Sequence, residues 1–514
     1  MTPQLPEDHL DFLTLSLLTL AAASISFAIN IREGLFCQGA ILCLSLSVIA
    51  TSVALFRLPF TSRHSATPIP SLLPTPHSDT PTLRHPDTIP TTLLLLALAF
   101  QFLQLHTKYP GSLWNTPPGS LCHQLSIEKD DLTWVRDPIK RAAAKSHIAS
   151  LESTLADYRF QLGILLAAAL TPLALLNRPR LRNSAIALIL LTHFLLGASL
   201  LRHTPNPFID VHIFQQESAA ALLHGLNPYA TTFTNIYGPD AYVYAPNLMT
   251  GSRVNFGYPY PPLTLFMALP GYLLAGDHRY SQLAAITLAA ALLIYARPSI
   301  ISTLAALLLL FTPRVFMIVE LAWTEPFVVL LLAFTLFCAA RFPRLTPYAL
   351  GLLIASKQYM IFAIPLAALL IPQPFRWKDY LRFILKSALV AAIVSLPLAL
   401  WDPHAFTFSA VTLQLKQPFR KDSISFLAWL AWYQEPLAIK LSFLAFLAAI
   451  ATIIIALKRC PPTPAGFALA LAAVYLAFLA LNKQAFCNYY FLVLAALCSA
   501  IAMTPPPPQI TNNE

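Results

Sequence analysis

The chain has 514 residues, of which 57% are apolar and only 11% charged, where a soluble domain carries about a quarter charged residues. A soluble protein of this length would divide into domains with polar surfaces, but here apolar runs recur from end to end and a bilayer must hide them. The formal charge of +10 does not point to nucleic acid, because Lys and Arg sit in short clusters between apolar runs (Arg178, Arg180 and Arg182; Lys458 and Arg459), as in cytoplasmic loops.

In chain order, the first apolar run covers about 10–31. It has no basic region before it and no small-residue cleavage site after it, so a retained membrane helix is expected there, not a signal peptide. Further runs fall at 35–57, 91–105, 161–176, 184–201, 262–275, 281–296, 300–318, 326–340, 347–371, 383–400, 437–457, 465–481 and 488–503. Several are short for a span, so about 12 to 14 crossings and an all-α polytopic transmembrane fold are expected. Three polar stretches intervene. Residues 59–90, rich in Pro, Thr and His, read as an irregular loop; 106–160 carry mixed charge with a surface helix over 139–158; 202–261 is the longest polar segment in mid-chain. The expected organisation is a set of N-terminal helices over 1–180 with no assigned role, a membrane module over 181–503 and a polar tail at 504–514. Cys37, Cys43, Cys338 and Cys498 lie within apolar runs and read as packed side chains; no CxxC pair or His/Cys cluster suggests zinc.

Basic clusters set the expected topology. With Lys458/Arg459, Arg376/Lys378/Arg382 and Arg341/Arg344 cytoplasmic, residues 401–423, the turn at 482–484 and the acids Glu320 and Glu325 lie outside. With Arg178, Arg180 and Arg182 inside, 202–261 also lies outside, and the two halves disagree by one crossing within 262–318. A segment there that leaves by the face it entered would reconcile them. Likewise, the run 345–374 has basic clusters on one side at both ends and an interruption at Ser356–Lys357–Gln358. Two half-length helices meeting near Lys357, which would face a wet cavity, fit that pattern.

The outer loop opens with Asn206-Pro-Phe-Ile-Asp210, and apolar residues then recur at helical spacing from Val211 to His224. An amphipathic helix along the membrane surface, stopped by Gly225, is expected. Asp210 reads either as its N-cap or as a general base at the membrane surface. The readings are compatible, since one oxygen can cap while the other faces a cavity. The segment Tyr258–Pro262 is stiff and leads into the next span.

An Asp after an early core span, a surface helix, then LLHGLNPY (222–229) and YPYPPL (258–263) together resemble the GT-C glycosyltransferases, most nearly the branch that includes polyprenol-phosphate-mannose-dependent mannosyltransferases. The segments VELAWTEPFVVLLL (319–332), GLLIASKQYMIF (351–362) and LNKQAFCNYYFLV (481–493) are similar too, so the resemblance covers about 180–503. It implies a GT-C-like fold with Asp210 as catalytic base. Members that use a divalent metal carry paired acids; here Asp210 is single, with Glu217 seven residues on, which resembles the metal-independent branch. No metal and no cofactor are therefore expected.

A phosphate-bearing donor needs cations. Lys357, costly inside an apolar run, is the first candidate, with snorkelling as its alternative. Lys483 is the second, and Gln484 and Tyr489 beside it are candidates for substrate contact, although interfacial tyrosines also serve as anchors. Lys416, Arg420 and Lys421 could attract lipid phosphate or be simply solvated, and Arg253 and Arg314 are weaker candidates. Glu320 and Glu325 flank Trp323 and could bind sugar hydroxyls or pair with Arg314 or Lys357. His212 and Glu217 complete the candidate substrate contacts. The resulting expectation is an inverting hexosyltransferase, mannose foremost, in the cell (plasma or inner) membrane. It moves a sugar from a polyprenyl-phosphate donor to a hydroxyl of a glycolipid or glycan at the extracytoplasmic face, with no nucleic acid as partner. The alternative is a transporter or flippase for a lipid-linked sugar or small solute.

Overall fold

The computed structural model describes residues 10–59, 88–107, 151–238 and 243–505. Most of the loop expected over 59–90, and residues 139–150 of the expected surface helix, lie outside them. The described residues are helical almost throughout, and their only strands are the two-residue pair β1 (Met249–Thr250) and β2 (Arg253–Val254).

The helices used below are α1 (Phe12–Asn30), α2 (Gln38–Arg57), α3 (Thr88–Thr107), α4 (Leu151–Ala174), α5 (Pro179–His203), α6 (Asp210–Leu223), α7 (Pro262–Ala275), α8 (Arg279–Ala296), α9 (Ile300–Leu310) and α10 (Pro313–Glu320). They continue with α11 (Glu325–Arg341), α12 (Thr346–Ile354), α13 (Trp377–Trp401), α14 (Phe426–Lys440), α15 (Leu444–Arg459), α16 (Pro464–Ala480) and α17 (Cys487–Ala502). Among the described residues, seven helical segments are long and apolar enough to cross a membrane, with α14 and α15 counted as one, and an eighth if α9 and α10 form one span bent by 48°. Shorter apolar helices, among them α7, α16 and α17, fill the bundle. The protein is thus an all-α polytopic membrane protein. Fewer helices reach full length than there are apolar runs, because breakers interrupt the runs. Pro313 cannot donate to the α9 ladder, and Ser356–Lys357 separates α12 from the 3₁₀ turn Gln358–Phe362, at the interruption expected from the sequence.

Position in the bundle follows composition. Helix α17 is apolar all round and buried at every position but Tyr489, as expected of a central helix; it packs against α1, α9, α11 and α16. Its alanines let these backbones approach closely. In contrast, α13 turns Leu385, Leu389, Ile393, Leu396 and Leu400 outward, where lipid replaces a protein partner. One apolar core runs from Leu10 to Met503 and crosses residue 180 without a seam. The N-terminal helices are therefore part of the bundle: α1 packs on α2, α3 and α17, and Arg314 of α10 donates to the carbonyls of Ile29 (2.7 Å) and Asn30 (3.1 Å) at its end.

The two ends of the bundle differ. At one, Arg459 donates to the carbonyls of Phe56 (2.7 Å) and Leu58 (3.0 Å), gathering the ends of α2 and α15. At the other, Phe36 N–H reaches the Asp422 carbonyl (2.9 Å), Arg420 N–H the Lys483 carbonyl (3.0 Å) and Ile424 N–H the Ala485 carbonyl (2.7 Å). The region around α6 belongs to this second end. Both ends of α7 are held there: Tyr260 through its carbonyl to the Tyr229 hydroxyl (2.6 Å), Gly276 through its carbonyl to the Gln216 amide (2.7 Å). At 14 residues, or about 21 Å, α7 is short for a span, and with the bent α9–α10 pair it is one of two irregular segments in 262–318.

Candidate active site

The surface helix begins at Asp210 itself, with Ile209 in the cap position and making no side-chain cap bond. Asp210 still serves a free end of the helix: its Oδ1 accepts from the Val211 N–H at 2.8 Å. The same oxygen accepts from the Tyr237 hydroxyl at 3.3 Å, and Oδ2 accepts from the Tyr244 hydroxyl. Tyr237 is delivered by an Asx turn, in which the Asn235 Oδ1 accepts from the Tyr237 N–H (3.1 Å) and its Nδ2 donates to the Gly238 carbonyl (2.9 Å). The loop is fixed to α6 by an aromatic cluster of Phe214, Phe233, Tyr244, Phe256 and Tyr258.

Asp210 is therefore held by hydroxyl donors and one backbone N–H, with no ion-pair partner among the described residues. Burial raises its pKa above the ordinary carboxylate range, and the bonds from Tyr244, Val211 and Tyr237 and the charge of Arg420 offset part of that rise. Burial, reinforced by the negative charge of Asp210, pushes the Tyr237 and Tyr244 phenols upward, so both remain protonated donors. The residue is half-buried.

Tyr260 and Tyr489 stand between Asp210 and a second acid, within electrostatic range of both. That acid, Glu325, opens α11 and is fully buried. Its Oε1 pairs with the Lys357 ammonium and accepts from Tyr359 (3.3 Å) and Asn488 (3.2 Å). Its Oε2 is buried with no hydrogen-bond partner among the described residues. Lys357 Nζ lies 5.2, 5.5 and 5.6 Å from the rings of Tyr260, Tyr359 and Tyr489, a cage that favours a cation. Gln358, next in the break, donates to the carbonyls of Pro259 and Ala410, both at 2.8 Å, and so ties the break to the loop.

The candidates from the sequence separate into groups. Asp210, Glu325, Lys357 and Tyr489 come together. Lys357, expected to meet a donor phosphate, is instead neutralised by Glu325, as the ion-pair alternative for that acid anticipated. Lys483 and Gln484 face the chain: Lys483 donates to the carbonyls of Leu415 (3.0 Å) and Gln417 (2.7 Å), and Gln484 to that of Pro418 (2.9 Å). Arg420 is held bidentate by Asp422 at 2.8 and 2.6 Å and Lys421 pairs with Glu435. Lys416 is exposed over Phe408 and has no carboxylate partner among the described residues. Glu217 lies two turns along α6 from Asp210, exposed, with Arg253 in electrostatic range. His212, two residues after Asp210, takes the opposite face of the helix, its ring 5.1 Å from that of His278. Burial holds both imidazoles neutral, His212 down to about 4 and His278 down to about 3.

Tyr237, Tyr244, Tyr260 and Tyr359 were not singled out from the sequence. The density of tyrosine in the outer loop was the available signal, but which phenols reach Asp210 depends on how the loop folds back.

No protein-family model matches the chain, and no curated protein or solved structure matches it. The function must therefore be argued from the site itself.

Proposed function

We propose that the protein is a membrane glycosyltransferase that moves a hexose from a polyprenyl-phosphate donor to an acceptor hydroxyl, with Asp210 as general base. The observation that carries this reading is Asp210: half-buried beside the membrane-embedded bundle, its carboxylate oriented by two phenols and not ion-paired among the described residues. The order of motifs that resembles GT-C enzymes supports it. As the acceptor oxygen attacks the sugar's anomeric carbon, its proton passes to Asp210 and the bond from that carbon to the phosphate oxygen breaks, so the configuration inverts. Lys416, exposed and without a carboxylate partner among the described residues, is the cation suited to draw the departing phosphate. In this reading the acceptor arrives at the extracytoplasmic face of a cell membrane, the end opposite Arg459.

The test is transfer from radiolabelled polyprenyl-phosphate hexoses by purified wild type and Asp210→Asn. Transfer by wild type alone, with both eluting as folded species, supports the reading; equal transfer removes Asp210 from the mechanism. Absence of transfer by wild type across hexoses and acceptors, with uptake of a lipid-linked sugar into vesicles, would favour the transporter reading that the break at Lys357 also suits.

A further inference from the structure

We propose that His212, Asp277 and His278 form a binding site for a divalent ion of the zinc class, which fastens α6 to the start of α8 behind the face that carries Asp210. One ring nitrogen from each histidine and one carboxylate oxygen of Asp277 lie within 4.8 Å of one another. Ligands about 2.0–2.2 Å from a tetrahedral ion sit roughly 3.4 Å apart, so small inward shifts close the set.

The hydrogen bonds around His278 leave it with a bare nitrogen. The Gln216 amide nitrogen donates to the Gly276 carbonyl (2.7 Å), so its Oε1 must face the His278 Nδ1 at 2.9 Å and accept from it. Nδ1 therefore carries the proton and Nε2 offers a lone pair, yet Nε2 is buried with no partner among the described residues. A ring whose far nitrogen is held by a neighbouring oxygen is the usual state of a metal-bound histidine. The Nδ1 of His212 is likewise buried and unpartnered. Asp277 is oriented by Arg279, whose backbone N–H, Nε and a terminal nitrogen contact its two oxygens at 2.6–3.0 Å, so one of these contacts yields when the carboxylate takes the ion. Two imidazoles and one carboxylate select zinc or cobalt over magnesium or calcium. The rival occupant is a buried water between the two rings.

The experiment uses the full chain, purified in detergent without a polyhistidine tag, stripped with chelator and re-equilibrated with zinc or cobalt. Bound metal is counted by mass spectrometry and cobalt geometry read from visible absorption, so the result does not depend on the glycosyl-transfer reading. Wild type should retain about one ion per chain with the intense bands of tetrahedral cobalt, and His212→Gln/His278→Gln should lose both. Gln216→Ala, which leaves every ligand in place, should weaken cobalt binding by roughly tenfold or more. Wild type that retains no more metal than the double variant overturns the proposal, as does wild type without tetrahedral cobalt bands, whether or not the double variant folds. Unchanged cobalt affinity in Gln216→Ala overturns the placement at His278.

Discussion

Two carboxylates approach the same loop and are treated in opposite ways. Asp210 is satisfied by phenol hydroxyls and one backbone N–H and stays partly exposed. Glu325 is sealed and neutralised by Lys357. A base must accept a proton from an incoming molecule, which hydroxyl partners permit. A buried ion pair instead stores its charge in mutual attraction, and either partner left alone is costly. On the proposed reading, the difference suits Asp210 to chemistry and Glu325 to architecture.

The sharpest way to break this comparison is Asp210→Asn. Its amide oxygen can still accept from Tyr244, so the fold should hold while transfer falls by about 10²- to 10⁴-fold, the range for loss of a general base. A variant that keeps wild-type turnover would make Asp210 no more than a helix-end partner. Next in size is Lys357→Met, which leaves Glu325 buried and unpaired and should cost about 3–5 kcal/mol of stability. Thermal unfolding in detergent would register it, and adding Glu325→Gln to the same chain should recover most of the loss. If the single variant unfolds like wild type, Lys357 is no structural partner and the phosphate role expected from the sequence returns.

A third test uses pH. Burial raises the pKa of Asp210, and the base works deprotonated, so kcat/KM should rise with pH through that raised value and fall away below it. Tyr244→Phe removes a bond that favours the charged form, so the acid limb should move to higher pH in a kcat/KM profile, while Glu325→Gln should leave it in place. A limb that moves only in the Glu325 variant would reverse the assignment. The smallest expected effect is that of Lys416→Ala, a roughly twofold to fivefold rise in donor KM with kcat retained. The effect should fade as ionic strength rises; a salt-independent loss would mean a structural role instead.

Much of the scaffold was legible in the sequence. Apolar runs bounded by polar clusters placed the helices, and the parity of basic clusters required both a non-crossing segment in 262–318 and a break near Lys357. The structure shows the second, as the Ser356–Lys357 interruption between α12 and the following 3₁₀ turn. The start of the surface helix was also legible, since Pro207 and Asp210 precede an apolar stripe. Partners were not. Lys357 and Glu325 each read as isolated charges, and their pairing depends on α11 and the broken segment meeting at one level. The histidine pair behind α6 was invisible for the same reason: His212 and His278 are far apart in sequence, and neither lies in a metal-spaced motif.

By itself, then, the sequence determined that this chain lives in a membrane as a bundle of helices and where its polar loop interrupts them, because hydrophobicity and helix breaking are local properties written residue by residue. Only the tertiary structure decided which charges are spent on one another, which phenols reach Asp210 and which nitrogens are left without a partner, because those depend on distances between segments that no local pattern encodes.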